Sequence, residues 1–298
     1  MSRIDTAKLF QAISNAGRWG PDDELGTLNL ITPDTVRRAA RLVRSGHVVS
    51  IAHDLDTAPS RKNHMPVVHH MLFKSHHEPA TAIDELLIAP HSVTITHLDA
   101  VAHSHFRGRV YNGREMNDVI SQKGLSFGSI SAMRHGIVTR GVFLDIAAVR
   151  EVSWLEPDDV VQPEDLERAE RAAGVRVGSG DALLVRVGLA AREAARGDEN
   201  PAERAGLSTD CVRWFADREV ALYGGDCFEH LPTRDADESW PLHRLALAGL
   251  GLALLDNVSV EPLVQACTRE GSAEFLFTVA PLRAPGATGC AVNPLCVF

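Results

Sequence analysis

Residues 96–103 read Thr96-His97-Leu98-Asp99-Ala100-Val101-Ala102-His103. The run before them, Val93-Thr94-Ile95-Thr96, is β-branched and predicts a strand that leads into this motif. Side chains two apart on a strand share one face, so His97 and Asp99 can converge on one point. A neutral imidazole beside a carboxylate is a common ligand pair for zinc, manganese or iron. His103 follows the strand, where a loop histidine can act as acid or base. The stretch therefore predicts metal-assisted chemistry.

The composition is that of an ordinary globular protein, with 45% hydrophobic and 23% charged residues in a chain of 298. A formal net charge of −9 argues against nucleic-acid and anionic-membrane partners, which normally need a basic surface. The longest strongly apolar run, Leu245 to Leu255, is far shorter than the roughly 20 residues that span a bilayer. The five scattered cysteines and the N-terminus, which does not resemble a signal peptide, predict a cytoplasmic location.

Histidines are concentrated in one part of the chain. Eleven of the fourteen lie between His47 and His105, a clustering that favours metal binding or acid–base work. The segment 56–90 is irregular and rich in proline, histidine and asparagine, and predicts a loop that forms a pocket wall. Five of the histidines lie in it, namely His64, His69, His70, His76 and His77.

Strands and helices are interspersed without regular alternation, which predicts an α/β class. Thr32 and Pro33 predict the start of a helix that Gly46 ends, and a second helix is predicted over 163–173. No repeat or linker divides the chain, so we expect one domain over residues 1–298 with an N-terminal extension, residues 1–47, packed on it. Strands are predicted at 48–51, 137–145, 181–187, 220–223 and 274–279.

The motif resembles the signature of the cyclase-like metal-dependent hydrolases, the family of bacterial kynurenine formamidase and isatin hydrolase. Their pattern is His-x-Gly-Thr-His-x-Asp-x-x-x-His, and it is matched here at Thr96, His97, Asp99 and His103. The resemblance covers roughly residues 15–298. Other blocks agree in order, namely Gly26-Thr27-Leu28-Asn29, Tyr111-Asn112-Gly113, Gly180-Asp181-Ala182-Leu183-Leu184-Val185-Arg186, Leu254-Leu255-Asp256-Asn257 and Val292-Asn293-Pro294.

This resemblance implies a swivelling β/β/α domain with a β-barrel-like core. It also implies a homodimer or homotetramer whose subunits lend loops to each other's sites. The cofactor it implies is a divalent metal, zinc or manganese. His97 and Asp99 would be metal ligands, and His103 and His243 would be catalytic. Asp256 falls where the family usually has a glutamate ligand.

Two positions depart from the family pattern. Val93 stands where the signature has its first histidine. His91 has the right strand parity, but six residues of extended strand would place it about 20 Å from His97, at roughly 3.3 Å per residue. Asp256 reaches about 1.5 Å less than a glutamate, roughly one C–C bond. Two outcomes follow: a metal held with help from a histidine of the 64–77 segment, or a pocket that has lost its metal.

We expect a hydrolase that cleaves an amide-type bond of a small molecule by metal-activated water, with His103 moving the proton. The bond would be a cyclic amide, an N-formyl amide or a lactone. One alternative is a metal-free cyclase, dehydratase or isomerase in which His103 and Asp99 are acid and base. Another is a protein that binds a small molecule without turnover. A weaker candidate nucleophile is Cys227, near Glu229 and His230 in the sequence.

Overall fold

The computed structural model describes residues 3–74, 81–198 and 200–298. The strands in these ranges are β1 (Val48–Ser50), β2 (Val68–Lys74), β3 (Thr81–Leu87), β4 (His97–Asp99), β5 (Ile120–Ser121), β6 (Gly124–Leu125), β7 (Ile137–Asp145), β8 (Val160–Val161), β9 (Ala182–Arg186), β10 (Gly206–Leu207), β11 (Leu222–Gly225), β12 (Ala253–Asp256), β13 (Glu274–Val279), β14 (Gly289–Ala291) and β15 (Leu295–Val297).

The helices lie mostly between the longer strands. They are α1 (Thr6–Ile13), α2 (Pro33–Ala40), α3 (Met116–Val119), α4 (Ile146–Val149), α5 (Pro163–Ala173), α6 (Leu189–Arg196), α7 (Cys211–Arg218), α8 (Pro241–Arg244) and α9 (Glu261–Glu270). Short 3₁₀ turns cover Gly26–Leu30, Tyr111–Gly113 and Ile130–Met133, and a π-helical segment, Leu245–Leu250, continues α8. Over the described ranges, no helix combines the length and the apolar character that crossing a membrane requires.

One nine-stranded sheet organises the molecule and curls into a half-barrel, as the predicted α/β class with a barrel-like core requires. Its strand order is β1-β15-β13-β7-β9-β11-β12-β4-β14. The four central strands, β7, β9, β11 and β12, run parallel, and the flanking strands are antiparallel to their neighbours. Strand β4 lies between β12 and β14, which places the motif near one edge of the sheet.

Apolar side chains cover both faces of the central strands. Leu183 and Val185 of β9 belong to one buried cluster, and Leu184 belongs to the other. This alternation follows from the two-residue period of a strand. Because both faces are covered, the parallel centre of the sheet is fully buried, as is usual for parallel strands.

The N-terminal residues pack against this sheet. Thr32 caps α2 and Pro33 opens it, as predicted, but the helix ends at Ala40, before Gly46. Helix α2 contacts β7, and α1 contacts the π-helical segment. Gly26 has φ +57°, and a Cβ there would lie 2.0 Å from the Gly251 carbonyl oxygen. The N-terminal chain can therefore cross the backbone of Gly251 only with glycine at position 26.

Two sequence predictions about elements are wrong. The strand predicted over Val93–Thr96 is a turn, and the strand proper begins at His97. The segment 56–90, predicted as an irregular loop, contains the antiparallel hairpin β2–β3. His70 faces Glu85 across this hairpin and His69 contacts Asp84 diagonally, so both histidines pair with acidic residues of the other strand. Histidine and acidic residues resemble a loop in composition but here form a strand pair.

Candidate metal centre and active site

Strand β4 carries the central pair of the site. His97 and Asp99 lie on one face, while Leu98 is fully buried in the core on the other. The antiparallel register places Asp256 of β12 directly opposite His97. The sheet therefore gathers three predicted site residues on a single face.

A turn precedes β4 and brings His91 back to the motif. The Ile95 amide donates to the Ser92 carbonyl over 3.2 Å. The Asn257 side-chain amide donates to the carbonyl of Ser92 at 2.9 Å and to that of Ile95 at 3.4 Å. As a result, the His91 and His97 ring centroids are only 5.2 Å apart. The expected separation of about 20 Å is wrong, because it assumed extended strand where the chain reverses.

Three side chains converge closely enough to hold a metal ion. The donor atoms of His91, His97 and Asp99 all lie within 4.8 Å of one another. Asp99 Oδ1 is 2.9 Å from His91 Nδ1 and 3.4 Å from His97 Nε2. Ligands about 2.0–2.2 Å from a tetrahedral zinc ion lie roughly 3.4 Å from one another. The observed spacing thus fits a small divalent cation.

The hydrogen bonds around the group turn its donor atoms toward one another. His97 Nδ1 lies 2.7 Å from the Ile95 carbonyl oxygen, which fixes a hydrogen on Nδ1 and turns Nε2 toward Asp99. His91 Nε2 contacts Thr288 Oγ1 at 2.8 Å, so its Nδ1 faces inward. Within the described chain, His91 Nδ1 and Asp99 Oδ1 are buried without a well-formed hydrogen bond. Buried polar atoms of this kind call for a partner, and a metal ion would supply one.

The electrostatics of the group favour bound positive charge. Burial alone would lower the pKa of His97, but contacts with Asp99 and Asp256 raise that pKa to about 9. Burial would raise the pKa of Asp99, but His91 and His97 hold it well below its usual range. The Asp99 carboxylate therefore stays ionised and is stabilised by a positive charge beside it, either a protonated histidine or a metal ion.

His103 lies against the ligand group. Its ring stacks on that of His91, with centroids 3.8 Å apart and planes 11° from parallel. Burial lowers the pKa of His103 to about 4, against an opposing contribution from Asp99. At neutral pH this histidine is therefore uncharged and carries a free lone pair.

His243 approaches from the opposite side. Its Nδ1 is 2.6 Å from Glu229 Oε2, and its Nε2 is 3.8 Å from Asp256 Oδ2. Burial would lower the pKa of His243, but the charges of Glu229 and Asp256 raise it well above 6.5. Asp256 Oδ2 also lies 3.9 Å from His97 Nε2, so this carboxylate stands between the two histidines.

A cavity of about 280 Å³ joins these side chains. All five predicted site residues line it, together with His91 and Glu229, which sequence reasoning did not include in the site. Apolar side chains line it as well, namely Val93, Phe228, Leu231 and Trp240. The cavity therefore combines a histidine-rich group with hydrophobic side chains, as small-molecule sites commonly do.

Other candidates lie elsewhere or are chemically unsuited. His64, His69 and His70 are exposed, so His91 takes the place expected for a histidine of the 64–77 segment. His76 and His77 lie outside the described residues. Cys227 is buried, and burial raises the pKa of its thiol well above the usual value, which excludes a ready thiolate nucleophile.

His91, set aside because an extended strand would place it too far from His97, had a detectable signal. Pro90 and Ser92 flank it, and both are turn-forming residues that argue against a continuous strand. In the structure, Gly289 on β14 leaves room for this histidine, because a Cβ there would lie 2.5 Å from the His91 ring. Glu229 had no comparable signal, since its contact with His243 depends on packing between distant segments.

The fold and the site define a class: an α/β protein with a half-barrel sheet and a His/His/Asp group at a pocket. The sequence matches the Cyclase family model over residues 49–230. The chain belongs to this cyclase family, as its motif predicted. No curated protein sequence matches it.

Solved structures share the fold. The crystal structure of a novel cyclase is 27% identical, with a TM-score of 0.86 over 97% of this chain and 99% of that one. An isatin hydrolase bound to the product analogue thioisatinate is 16% identical, with a TM-score of 0.62 over 90% and 99%. A predicted metal-dependent hydrolase from Bacillus stearothermophilus is 13% identical, with a TM-score of 0.51 over 84% and 97%. The last two likenesses concern the fold alone.

Proposed function

We propose that this protein is a metal-dependent hydrolase that cleaves an amide-type bond in a small molecule. One observation carries the proposal: three closely spaced donor atoms, from His91, His97 and Asp99, converge in a pocket that His103 and His243 also line. The family and its hydrolase-named structural neighbours support a hydrolytic role.

His91, His97 and Asp99 would hold the metal. Two imidazoles and a carboxylate suit zinc or manganese, and such sets accept several divalent ions. When bound, the ion would polarise the substrate carbonyl and make water a stronger nucleophile. The position of Asp256 beside His97 supports its predicted part in the site, either as a further ligand or as a partner of His243.

His103 would move protons. Because it is neutral at pH 7 and lines the cavity, it can accept a proton from water at the substrate carbonyl. The same nitrogen can then return that proton to the departing nitrogen or oxygen. Stacking on His91 fixes the plane of the ring and so the direction from which it acts.

The substrate would be a small molecule with an apolar part. Phe228, Leu231 and Trp240 provide a hydrophobic wall in the same cavity as the histidines. A cyclic amide, an N-formyl amide or a lactone would place its carbonyl at the polar side and its hydrocarbon at this wall. The isatin hydrolase among the structural neighbours supports a cyclic amide as the first compound to test.

Metal removal tests the proposal. The purified protein is analysed for zinc and manganese, stripped with a chelator, and assayed with isatin, formanilide and dihydrocoumarin before and after each metal is restored. We expect turnover of at least one compound, its loss on chelation and its return with zinc or manganese. Turnover that survives complete metal removal would instead favour the metal-free acid–base alternative. Binding without turnover of any compound would favour a binding protein.

A further inference from the structure

Glu229 is a buried carboxylate whose two oxygens both serve His243. Its side chain lines the cavity, and the residue is only 2% exposed. Oε2 lies 2.6 Å from His243 Nδ1, and Oε1 accepts the His243 backbone N–H at 3.3 Å. The Glu229 carboxylate therefore contacts both the ring and the backbone N–H of His243.

These two contacts determine which ring nitrogen of His243 faces the cavity. A carboxylate only accepts hydrogen bonds, so Nδ1 carries a hydrogen in either charge state of the ring. Nε2 then points away from Glu229 toward Asp256 Oδ2, 3.8 Å distant. In the neutral ring, Nε2 presents a lone pair to the cavity.

The surrounding chain holds Glu229 rigidly. The Leu207 amide donates to the Phe228 carbonyl over 2.6 Å, and the His230 amide donates to the Leu207 carbonyl over 3.0 Å. Gly206 permits this approach, because a Cβ there would lie 2.5 Å from the Glu229 carbonyl carbon. Strand β10 thus clamps the residues on both sides of Glu229.

The His243 ring is also confined by aromatic neighbours. The Phe228 ring centroid lies 4.7 Å from that of His243, and the Trp240 centroid lies 5.7 Å away. These contacts restrict the plane of the ring, but they do not select its tautomer. Glu229 is the neighbour that makes this selection through Nδ1.

We propose that Glu229 is a positioning residue that keeps the Nδ1–H of His243 turned toward itself and so holds Nε2 toward Asp256 and the substrate cavity. This role rests on the proposed hydrolase function for its catalytic consequence, but the tautomer itself does not. A purely structural carboxylate would stabilise the fold without controlling Nε2.

The tautomer is measured directly by NMR on the metal-loaded protein with ¹⁵N-labelled histidine, and His243→Gln assigns the signal. We expect a hydrogen on Nδ1 of His243 in the wild type and its loss or redistribution in Glu229→Gln. A wild-type His243 whose Nδ1 carries no hydrogen would overturn the proposal. This measurement needs no substrate, so it decides the role of Glu229 even if the hydrolase proposal fails.

Kinetics test the consequence on whichever panel compound the wild type turns over. We expect Glu229→Gln to lower kcat/KM by about 10–100-fold with metal content unchanged, the usual effect of losing a partner that orients a site histidine. In a His243→Gln background the same change should add little, because Glu229 acts through His243. Equal losses in both backgrounds would contradict the proposal. Glu156→Gln, which removes a surface carboxylate paired with Arg192, is the matched control and should leave kcat/KM unchanged.

Discussion

Asn257 is the single residue that most directly supports the turn before β4. Its side chain donates to the carbonyls of Ser92 and Ile95, and its own carbonyl accepts from Thr96 Oγ1 at 2.5 Å. The backbone of Asn257 has φ +50°, a conformation that asparagine tolerates better than most residues. These bonds close the turn that returns His91 to the metal ligands.

We predict that Asn257→Gly lowers metal affinity by about 10–100-fold, because the turn loses its bonds while glycine keeps the left-handed backbone unstrained. Calorimetric titration of the stripped protein with zinc measures this change. Asn112→Gly is the control, since Asn112 also has a positive φ and donates to two carbonyls, those of Gly20 and Asp23, outside the cavity. Unchanged zinc affinity in Asn257→Gly would show that the turn is held by other contacts.

Among the secondary-structure elements, helix α5 has the best-defined beginning. Asp165 accepts a hydrogen bond from the Gln162 amide at 2.9 Å and another from Arg150 Nη2 at 2.6 Å. Burial would raise the pKa of Asp165, but the bonds from Arg150 and Gln162 lower it below its ordinary value. The ionised carboxylate therefore joins the helix start to the preceding loop.

The lowered pKa of Asp165 makes this contribution dependent on pH. A carboxyl group whose folded pKa is depressed stabilises above its unfolded pKa, roughly 3.9, and loses that effect as the pH falls through the folded pKa. We predict that Asp165→Asn lowers the free energy of unfolding by about 2 kcal/mol at pH 7. Urea denaturation from pH 7 downward should show the difference between the two proteins shrinking below about pH 4. A difference independent of pH would mean that the charge of Asp165 is unimportant.

How well the sequence predicted an element depended on its local signals. Strands β7 and β13 and helix α5 have the predicted bounds, because apolar alternation marks the strands and Pro163 and Gly174 mark the helix ends. The hairpin was missed because both of its strands are polar and largely exposed. The strand predicted over 93–96 was wrong because the prediction relied on β-branched composition. The contact that holds the turn at Ser92 comes from Asn257, far along the chain.

At the scale of the whole molecule, the site combines distant parts of the chain. Residues 91–103 contribute two proposed ligands from one strand, His97 and Asp99, together with His91 and His103. Residues 229–256 contribute Glu229, His243 and Asp256. The motif and the ordered blocks predicted most of these residues and the fold. The distances between them depend on the β4–β12 register and on packing, which a single sequence does not reveal.

The hairpin β2–β3 exposes apolar side chains that another protein surface could cover. An isolated two-stranded hairpin is marginal in water, and this one exposes several large apolar side chains. They are Val68, Met71, Leu72, Ile83, Leu86 and Leu87. We propose that a second copy of the chain covers this hairpin, in keeping with the predicted homodimer or homotetramer.

We predict that the wild type is a dimer or tetramer by light scattering coupled to size-exclusion chromatography. Leu87→Glu should shift it toward the monomer, because the substitution places a charge in the proposed contact. Leu282→Glu is the control, since Leu282 is as exposed as Leu87, at 71% against 69%, but lies outside the hairpin. A monomeric wild type would contradict the proposal.

The central claim is that His91, and not the residue at position 93, completes the metal site. Zinc titration of the stripped wild type, His91→Ala and Val93→Ala proteins tests it most directly. We predict one tightly bound ion in the wild type and in Val93→Ala. In His91→Ala we predict a zinc affinity lower by more than about 100-fold. This exceeds the usual loss when a residue that only hydrogen-bonds to a metal ligand is removed. Equal zinc affinity in the wild type and His91→Ala would contradict the account.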